Sequence, residues 1–143
     1  MEVNNRLTPS EEQLRGFMEP GAEGPIYMLN LLKFREKAEY EDGRESELSG
    51  FEAYAIYGLG VAKLIREYGG EVKFSAGVSR IMVGSVEEPW DLVAIAMYPS
   101  RQAMLEMVTS EKYAEIGVHR SAGLSGQINI ETAGASGAWL AEN

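Results

Sequence analysis

The chain has 143 residues, of which 45% are hydrophobic and 24% charged, so we predict one folded domain and exclude an intrinsically disordered chain. Thirteen Lys and Arg against 22 Asp and Glu give a formal net charge of -9, which argues against nucleic acid and anionic membrane as partners. The chain contains no cysteine, which excludes disulfides, thiolate catalysis and Cys-ligated metal centres. Residues 1–15 lack the apolar core of a signal peptide, and we therefore expect a cytoplasmic protein.

Local signals in the first half of the chain mark where its elements begin and end. The segment Thr8–Glu11 has a capping residue followed by proline, which is typical of a helix start. The capping box that begins at Ser49 starts a long helix, and Gly69-Gly70 ends it. The apolar run from Pro25 to Phe34 indicates a strand that is covered on both faces. The predicted elements are a helix over residues 9–18, a strand over 25–34, an exposed charged loop over 35–49, and a helix from 50 to 68.

The second half of the chain predicts three strands and two short helices. Apolar residues alternate from Val72 but change parity before Val83, which indicates a strand with a bulge or bend at Gly77. The last strand alternates apolar and polar residues as a half-exposed edge strand does. The predicted elements are a strand over 72–83, a turn at 87–89, a doubly buried strand over 90–98, helices over 100–107 and 109–122 with Gly123 closing the second, and a strand over 127–132. In the tail that follows, Trp139 and Leu140 either dock on a neighbour or belong to a frayed terminus.

The order of the core elements is β-α-β-β-α-β, which is the split βαβ arrangement of an α+β ferredoxin-like fold. We divide the chain into an N-terminal helical extension (residues 1–24), the ferredoxin-like domain (25–133) and a C-terminal tail (134–143). Helices cover one face of such a sheet, yet the first and third strands are apolar on both parities. The simplest cover for the second face is the sheet of a second copy, so we predict a homodimer that forms an α/β barrel.

Several phrases of the sequence point, as a set, to one family. They are Tyr27–Arg35, Ser49-Gly50 with Tyr54 and Tyr57, Gly69-Gly70, Trp90-Asp91, Tyr98–Arg101, and Tyr113 followed by His119-Arg120. Together they resemble the domain of unknown function 1330 family of the dimeric α/β-barrel superfamily, over about residues 25–132. The resemblance implies the fold and the dimer but no settled activity, because the superfamily includes cofactor-free monooxygenases, lactone isomerases, haem enzymes and ligand-sensing domains.

His119 is the only histidine, so a histidine-cluster metal site is excluded, and we predict neither a metal nor a cofactor. Haem-binding relatives leave one alternative, with His119 as an axial ligand. An imidazole has the intrinsic pKa of a general acid or base, and a carboxylate such as Asp91 or a tyrosine could orient it. The other interpretation is a helix-end imidazole with no catalytic part.

Four aromatic or amide side chains and one arginine complete the candidate site. Arg120 shares a helix face with Tyr113 and Ile116, where it binds an anionic ligand or forms a structural ion pair with Asp91 or Glu106. Asn30 lies on an apolar strand face, where its amide either orients a ligand or bonds neighbouring backbone. Tyr54, Tyr57 and Trp90 are candidate pocket walls, with a core or anchoring role as the alternative for each.

The sequence favours a cofactor-free enzyme acting on a small carboxylated or phenolic metabolite, with His119 moving a proton and Arg120 and Asn30 binding oxygen atoms. The alternative is a non-catalytic module of the same fold that binds a small molecule or assembles with itself. No dinucleotide fingerprint, Walker loop or nucleophile elbow is present, which argues against nucleotide binding and triad hydrolysis. The sequence does not choose a substrate or a reaction.

Overall fold

The computed structural model describes residues 1–21 and 23–137, and the predictions for Trp139 and Leu140 lie outside the described residues. Every predicted helix and strand is present, with shifted ends. The elements are α1 (Glu11–Met18), β1 (Ile26–Phe34), α2 (Gly50–Glu67), β2 (Glu71–Gly77), β3 (Leu92–Tyr98), α3 (Arg101–Val108), α4 (Glu111–Gly123) and β4 (Leu124–Ala133).

The four strands form one antiparallel sheet in the order β2-β3-β1-β4. This order, with α2 and α4 as the two crossover helices, is the ferredoxin-like fold that the sequence predicts. β4 is an edge strand, as its alternating pattern indicates. Within the described part of the chain, no helix is long and apolar enough to cross a membrane.

The core lies between one face of the sheet and the helices. Because side chains alternate along a strand, β1 directs Ile26, Met28 and Leu32 inward, and all three are buried. Ile26 and Met28 share one cluster with Tyr57 and Leu64 of α2. Both ends of α2 are as predicted. A capping box at Ser49 begins the helix, and Gly69, whose φ of 84° is left-handed, ends it.

The strand β2 is shorter than its apolar pattern predicts. It ends at Gly77 and not at Val83, and Met82 and Val83 are 91% and 89% exposed. Its neighbour β3 begins only at Leu92, so the residues after Val78 have no strand beside them with which to pair. The bulge also lies elsewhere: the register shifts between Val72 and Phe74, whereas Gly77 pairs regularly with Leu92.

Residues 35–49 form a loop that is exposed over most of its length, as their charge predicts, but two of its apolar side chains are buried. Ala38 and Tyr40 are buried in a second cluster together with Ala53 of α2 and Ala122 of α4. The backbone N–H of Ala38 donates to the Leu48 carbonyl at 3.0 Å, and that of Glu39 to the Ala122 carbonyl at 3.0 Å. The segment is therefore fixed against both helices.

α2 and α4 approach each other closely at two glycines. Gly123 is the last residue of α4, where the sequence predicts that the helix closes. A Cβ at that position would lie 2.4 Å from the Gly50 carbonyl oxygen and 2.9 Å from the Tyr54 nitrogen. The backbones thus meet where only hydrogen atoms fit.

Two glycines of α2 give a matched test of this packing. A Cβ at Gly50 would lie 2.0 Å from the Arg35 carbonyl oxygen, whereas Gly58 has nothing within 4 Å. We expect Gly50→Ala to lower the free energy of unfolding by about 1–3 kcal/mol through overpacking. Gly58→Ala should raise it by up to about 1 kcal/mol through helix propensity. Urea unfolding of both variants checks the signs, and a Gly50→Ala protein as stable as the wild type would contradict the close approach.

Candidate functional site

A cleft of about 520 Å³ lies between the segment that follows β1 and the outer side of α4. Its wall includes Tyr40 and Asp42 from that segment and Tyr113, Arg120 and Ser121 from α4. Since residues 38–40 are bonded to the ends of α2 and α4, the wall is held by the fold itself. Arg120, a permanent cation, and the two phenols Tyr40 and Tyr113 therefore line the same cleft.

Arg120 is half-buried, and its bonding partners are neutral. Its Nη2 donates to the Leu7 carbonyl at 2.7 Å and to Oε1 of Gln127. In residues 1–21 and 23–137, no carboxylate forms an ion pair with it. A half-buried guanidinium without a carboxylate is an available binding group for an anion.

The predicted structural partners of Arg120 are both occupied elsewhere, and that interpretation is wrong. Asp91 accepts from the backbone N–H of Phe34 at 2.8 Å and from Lys33 Nζ at 3.4 Å. Glu106 accepts from Gln102 of its own helix at 3.5 Å. Both carboxylates therefore stabilise other parts of the fold.

Asn30 lies on the core face of β1, as its parity predicts, and its polar atoms are satisfied by protein groups. Its Nδ2 donates to the Met28 and Ala94 carbonyls at 3.1 and 3.4 Å. Its Oδ1 accepts from Gln127 Nε2 at 2.7 Å and from the Asn129 amide. Asn30 does not line the cleft; it fixes Gln127, which in turn holds Arg120.

The two predicted wall tyrosines lie behind the cleft rather than on its surface. The rings of Tyr54 and Tyr57 are 5.2 Å apart between centroids, and the Tyr57 hydroxyl is 3.1 Å from that of Tyr113, which reaches the cleft. Burial raises the pKa of Tyr54 to about 12 and that of Tyr57 well above its ordinary value, against the opposing effect of Arg120. Tyr54 and Tyr57 are therefore uncharged at neutral pH.

His119 is brought together with a tyrosine that the sequence analysis did not select. Its Nδ1 lies 2.7 Å from the hydroxyl oxygen of Tyr40, whereas Asp91, the other predicted partner, bonds Phe34 and Lys33. Burial lowers the pKa of His119, and the positive charge of Arg44 lowers it further. The imidazole is therefore neutral at neutral pH, so that Nδ1 can accept the Tyr40 proton. His119 itself does not line the cleft, but Tyr40 does.

A signal for Tyr40 was present in the sequence. Ala38, Tyr40 and Leu48 are the apolar residues in the charged segment 35–49, and all three pack in the second cluster. Apolar residues isolated in a charged segment indicate an anchored loop. The sequence analysis relied on the high charge of residues 35–49 and predicted only an exposed loop.

Asp42, which lines the cleft, holds Arg44 of the same segment. Asp42 accepts from Nε and Nη2 of Arg44 at 2.9 and 2.5 Å, and the Arg44 guanidinium carbon lies 4.6 Å from the centre of the Tyr40 ring.

In the part of the chain that the structure describes, no group of three His, Cys, Asp or Glu side chains is placed to hold a metal.

Trp90, predicted as a pocket wall, anchors the N-terminal segment instead. Its Nε1 donates to Oδ1 of Asn5 at 2.8 Å, and the backbone N–H of Arg6 donates to the Gln127 carbonyl at 3.1 Å. The segment thus lies along β4, where the carbonyl of Leu7 meets Arg120. This is the anchoring alternative that the sequence left open.

Comparisons with known proteins identify close structural relatives. The Rhodopseudomonas palustris protein RPA0582, of unknown function, is 33% identical over 94% of this chain and 100% of its own, with a TM-score of 0.82. The methylated form of RPA0582 is 35% identical over 94% of this chain and 98% of its own, with a TM-score of 0.83. No protein-family model and no protein of curated function matches the sequence.

Proposed function

The chain belongs to the family of the Rhodopseudomonas palustris protein RPA0582, and we propose that this protein is a cofactor-free enzyme acting on a small carboxylated or phenolic metabolite. Arg120 binds the carboxylate, Tyr113 contacts an aromatic or apolar body, and His119 supplies the basic nitrogen for proton transfer. Asn30, Tyr54 and Tyr57 position these groups from behind, and Trp90 holds the N-terminal segment. We also propose that the family is the domain of unknown function 1330 family, on the phrases around Tyr27–Arg35 and His119-Arg120.

The observation that carries the proposal is the bonding of Arg120. Desolvating a cation is costly unless it is paired, yet the partners of this half-buried guanidinium are a carbonyl and an amide oxygen. Neutral acceptors leave the positive charge uncompensated. A ligand carboxylate that enters the cleft would neutralise it and could form two parallel hydrogen bonds with the planar guanidinium.

The surrounding tyrosines support an anionic rather than a cationic ligand. With raised pKa values, Tyr54 and Tyr57 keep their protons at neutral pH and add no negative charge beside Arg120. The ring of Tyr113 offers an apolar surface with a hydroxyl at its edge. A planar carboxylate with a phenol or similar ring matches both features.

A matched pair of compounds tests the proposal. We expect 4-hydroxybenzoate to stabilise the protein, and 4-hydroxybenzamide, which has the same shape and no charge, to leave its melting temperature unchanged. A ligand at 100 times its dissociation constant stabilises by about 2.7 kcal/mol, or roughly 5–10 °C for a chain of this size. Equal shifts with both compounds, or no shift with a wider panel of small carboxylates, would contradict the anion site.

A non-catalytic binding module is the second candidate, and one observation favours it. His119 lies one residue layer behind the cleft surface, so a bound ligand need not touch it. A carboxylate that binds and is recovered unchanged from the protein would support the module. Turnover that is lost in His119→Ala would support the enzyme.

We also propose that the protein works as a homodimer that buries the outer face of its sheet. On the side opposite the core, the central strands β1 and β3 carry Leu29, Leu31, Val93 and Ile95, all only partly covered. Ile130 of β4 is on the same face and is 43% exposed. An antiparallel sheet with a solvated face normally carries polar residues there, so an apolar outer face favours a second sheet packed against it.

A further inference from the structure

Tyr40 connects the cleft to His119. It lines the cleft together with Arg120, and its hydroxyl oxygen is 2.7 Å from Nδ1 of His119, which does not line the cleft. We propose that Tyr40 is the catalytic proton-transfer residue and that His119 acts through it as a positioning residue and proton acceptor. This inference rests on the proposed function, since it needs a ligand at Arg120.

The geometry defines one balanced step. A substrate C–H or O–H proton moves to Tyr40 Oη as the hydroxyl proton of Tyr40 moves to Nδ1 of His119. The substrate C–H or O–H bond and the original Tyr40 O–H bond break, a new Tyr40 O–H bond and a His119 N–H bond form, and the electron pair of the broken substrate bond stays on the substrate. The products are a substrate anion and an imidazolium, and the reverse transfers return the proton to a different substrate atom in an isomerisation. Arg120, at the same cleft, stabilises the anion that forms.

The charged groups around the pair determine the resting state of the histidine. On the segment after β1, Arg44 lies over the Tyr40 ring and is itself held by Asp42, while Glu41 lies at the cleft rim. On α4, Arg120 lines the same cleft, and Ala53 of α2 packs in the buried cluster around Tyr40. The positive charge of Arg44 disfavours an imidazolium, so the resting histidine is neutral with Nδ1 unprotonated, and the imidazolium forms only while the substrate anion is present to balance it.

The single histidine makes the pair directly observable, because all imidazole nitrogen signals come from one residue. We would record long-range ¹H–¹⁵N spectra of the full chain between pH 5 and 8, with and without 4-hydroxybenzoate. In the wild type we expect a neutral Nε2–H tautomer with a hydrogen-bonded Nδ1. In Tyr40→Phe that hydrogen bond should be lost and the pKa of His119 should rise. Tyr113→Phe, whose hydroxyl is bonded to Tyr57, should leave the pKa of His119 as in the wild type.

Adding 4-hydroxybenzoate completes the test. We expect 4-hydroxybenzoate to shift the His119 signals of the wild type. It should also bind Tyr40→Phe but shift the His119 signals of that variant far less. Identical His119 titrations in the wild type and Tyr40→Phe would overturn the pair. Equal ligand-induced shifts in both proteins, with binding that still depends on Arg120, would overturn the role of Tyr40 and leave the anion site standing. If the wild type does not bind the probe, the proposed function fails first and this inference with it.

Discussion

Replacing Arg120 with methionine should abolish binding of carboxylates while the protein stays folded. The substitution removes the charge and keeps much of the side-chain volume, and loss of one partner of a buried charge pair costs about 2–5 kcal/mol of binding energy. That corresponds to a loss of roughly 30-fold or more in affinity for 4-hydroxybenzoate, measurable by titration calorimetry. Since no ion pair of Arg120 is broken, we expect the free energy of unfolding to change by less than the 3–5 kcal/mol of a broken buried pair.

Arg101 provides the control for this substitution. It is also a partly buried arginine, but its Nε and Nη2 bond both oxygens of Glu131 at 2.6 and 2.7 Å. Arg101→Met should therefore destabilise the protein and leave carboxylate binding unchanged. A strongly destabilised Arg120→Met protein that still responds to the same carboxylates would end the anion-site hypothesis.

Replacing Leu31 with aspartate should convert the proposed dimer into a monomer. Leu31 lies in the middle of the central strand β1 on the outer face, between Val93 of β3 and Ile128 of β4. A carboxylate there would be buried without a partner in the dimer but solvated in the monomer. Light scattering at micromolar concentration should give twice the 15.7 kDa of one chain for the wild type and one chain mass for the variant.

Leu59 on α2 tests whether the effect is specific to the sheet. It is 76% exposed, so Leu59→Asp makes the same chemical change on a different surface and should leave the dimer intact. Circular dichroism checks that both variants are folded. A wild-type protein of one chain mass, or a Leu31→Asp protein that remains dimeric, is incompatible with the proposed interface.

The fold followed from the sequence wherever local signals decide the outcome. The capping box at Ser49, the left-handed Gly69 and the parity of β1 are properties of neighbouring residues, and they are found where they were predicted. The N-cap of α1 is Ser10, two residues after the predicted cap at Thr8. The predicted end of β2 at Val83 was wrong because a strand needs a neighbouring strand with which to pair. The pattern of residues 72–83 does not show that β3 begins only at Leu92. Gly123 closes α4 as predicted, but its close approach to α2 depends on a distant part of the chain and was not predicted.

The candidate site was predictable as a set of residue types but not as a set of contacts. His119 and Arg120 were selected from the sequence, yet Tyr40, which bonds His119, and Leu7, which bonds Arg120, lie 79 and 113 residues away along the chain. Trp90 was placed at a pocket because a strand-end tryptophan can stack on a ligand, and Asn5, which bonds it, gave no signal. Tyr40 was missed because the charge of its neighbours outweighed its own apolar character.

The most direct measurement of the central claim is a crystal structure of the protein with 4-hydroxybenzoate bound. The account predicts the carboxylate oxygens at roughly 2.7–2.9 Å from the guanidinium nitrogens of Arg120, with the phenol ring against Tyr113. A ligand bound elsewhere, or a ligand in the cleft whose carboxylate points away while Arg120 keeps only its bonds to Leu7 and Gln127, would contradict it.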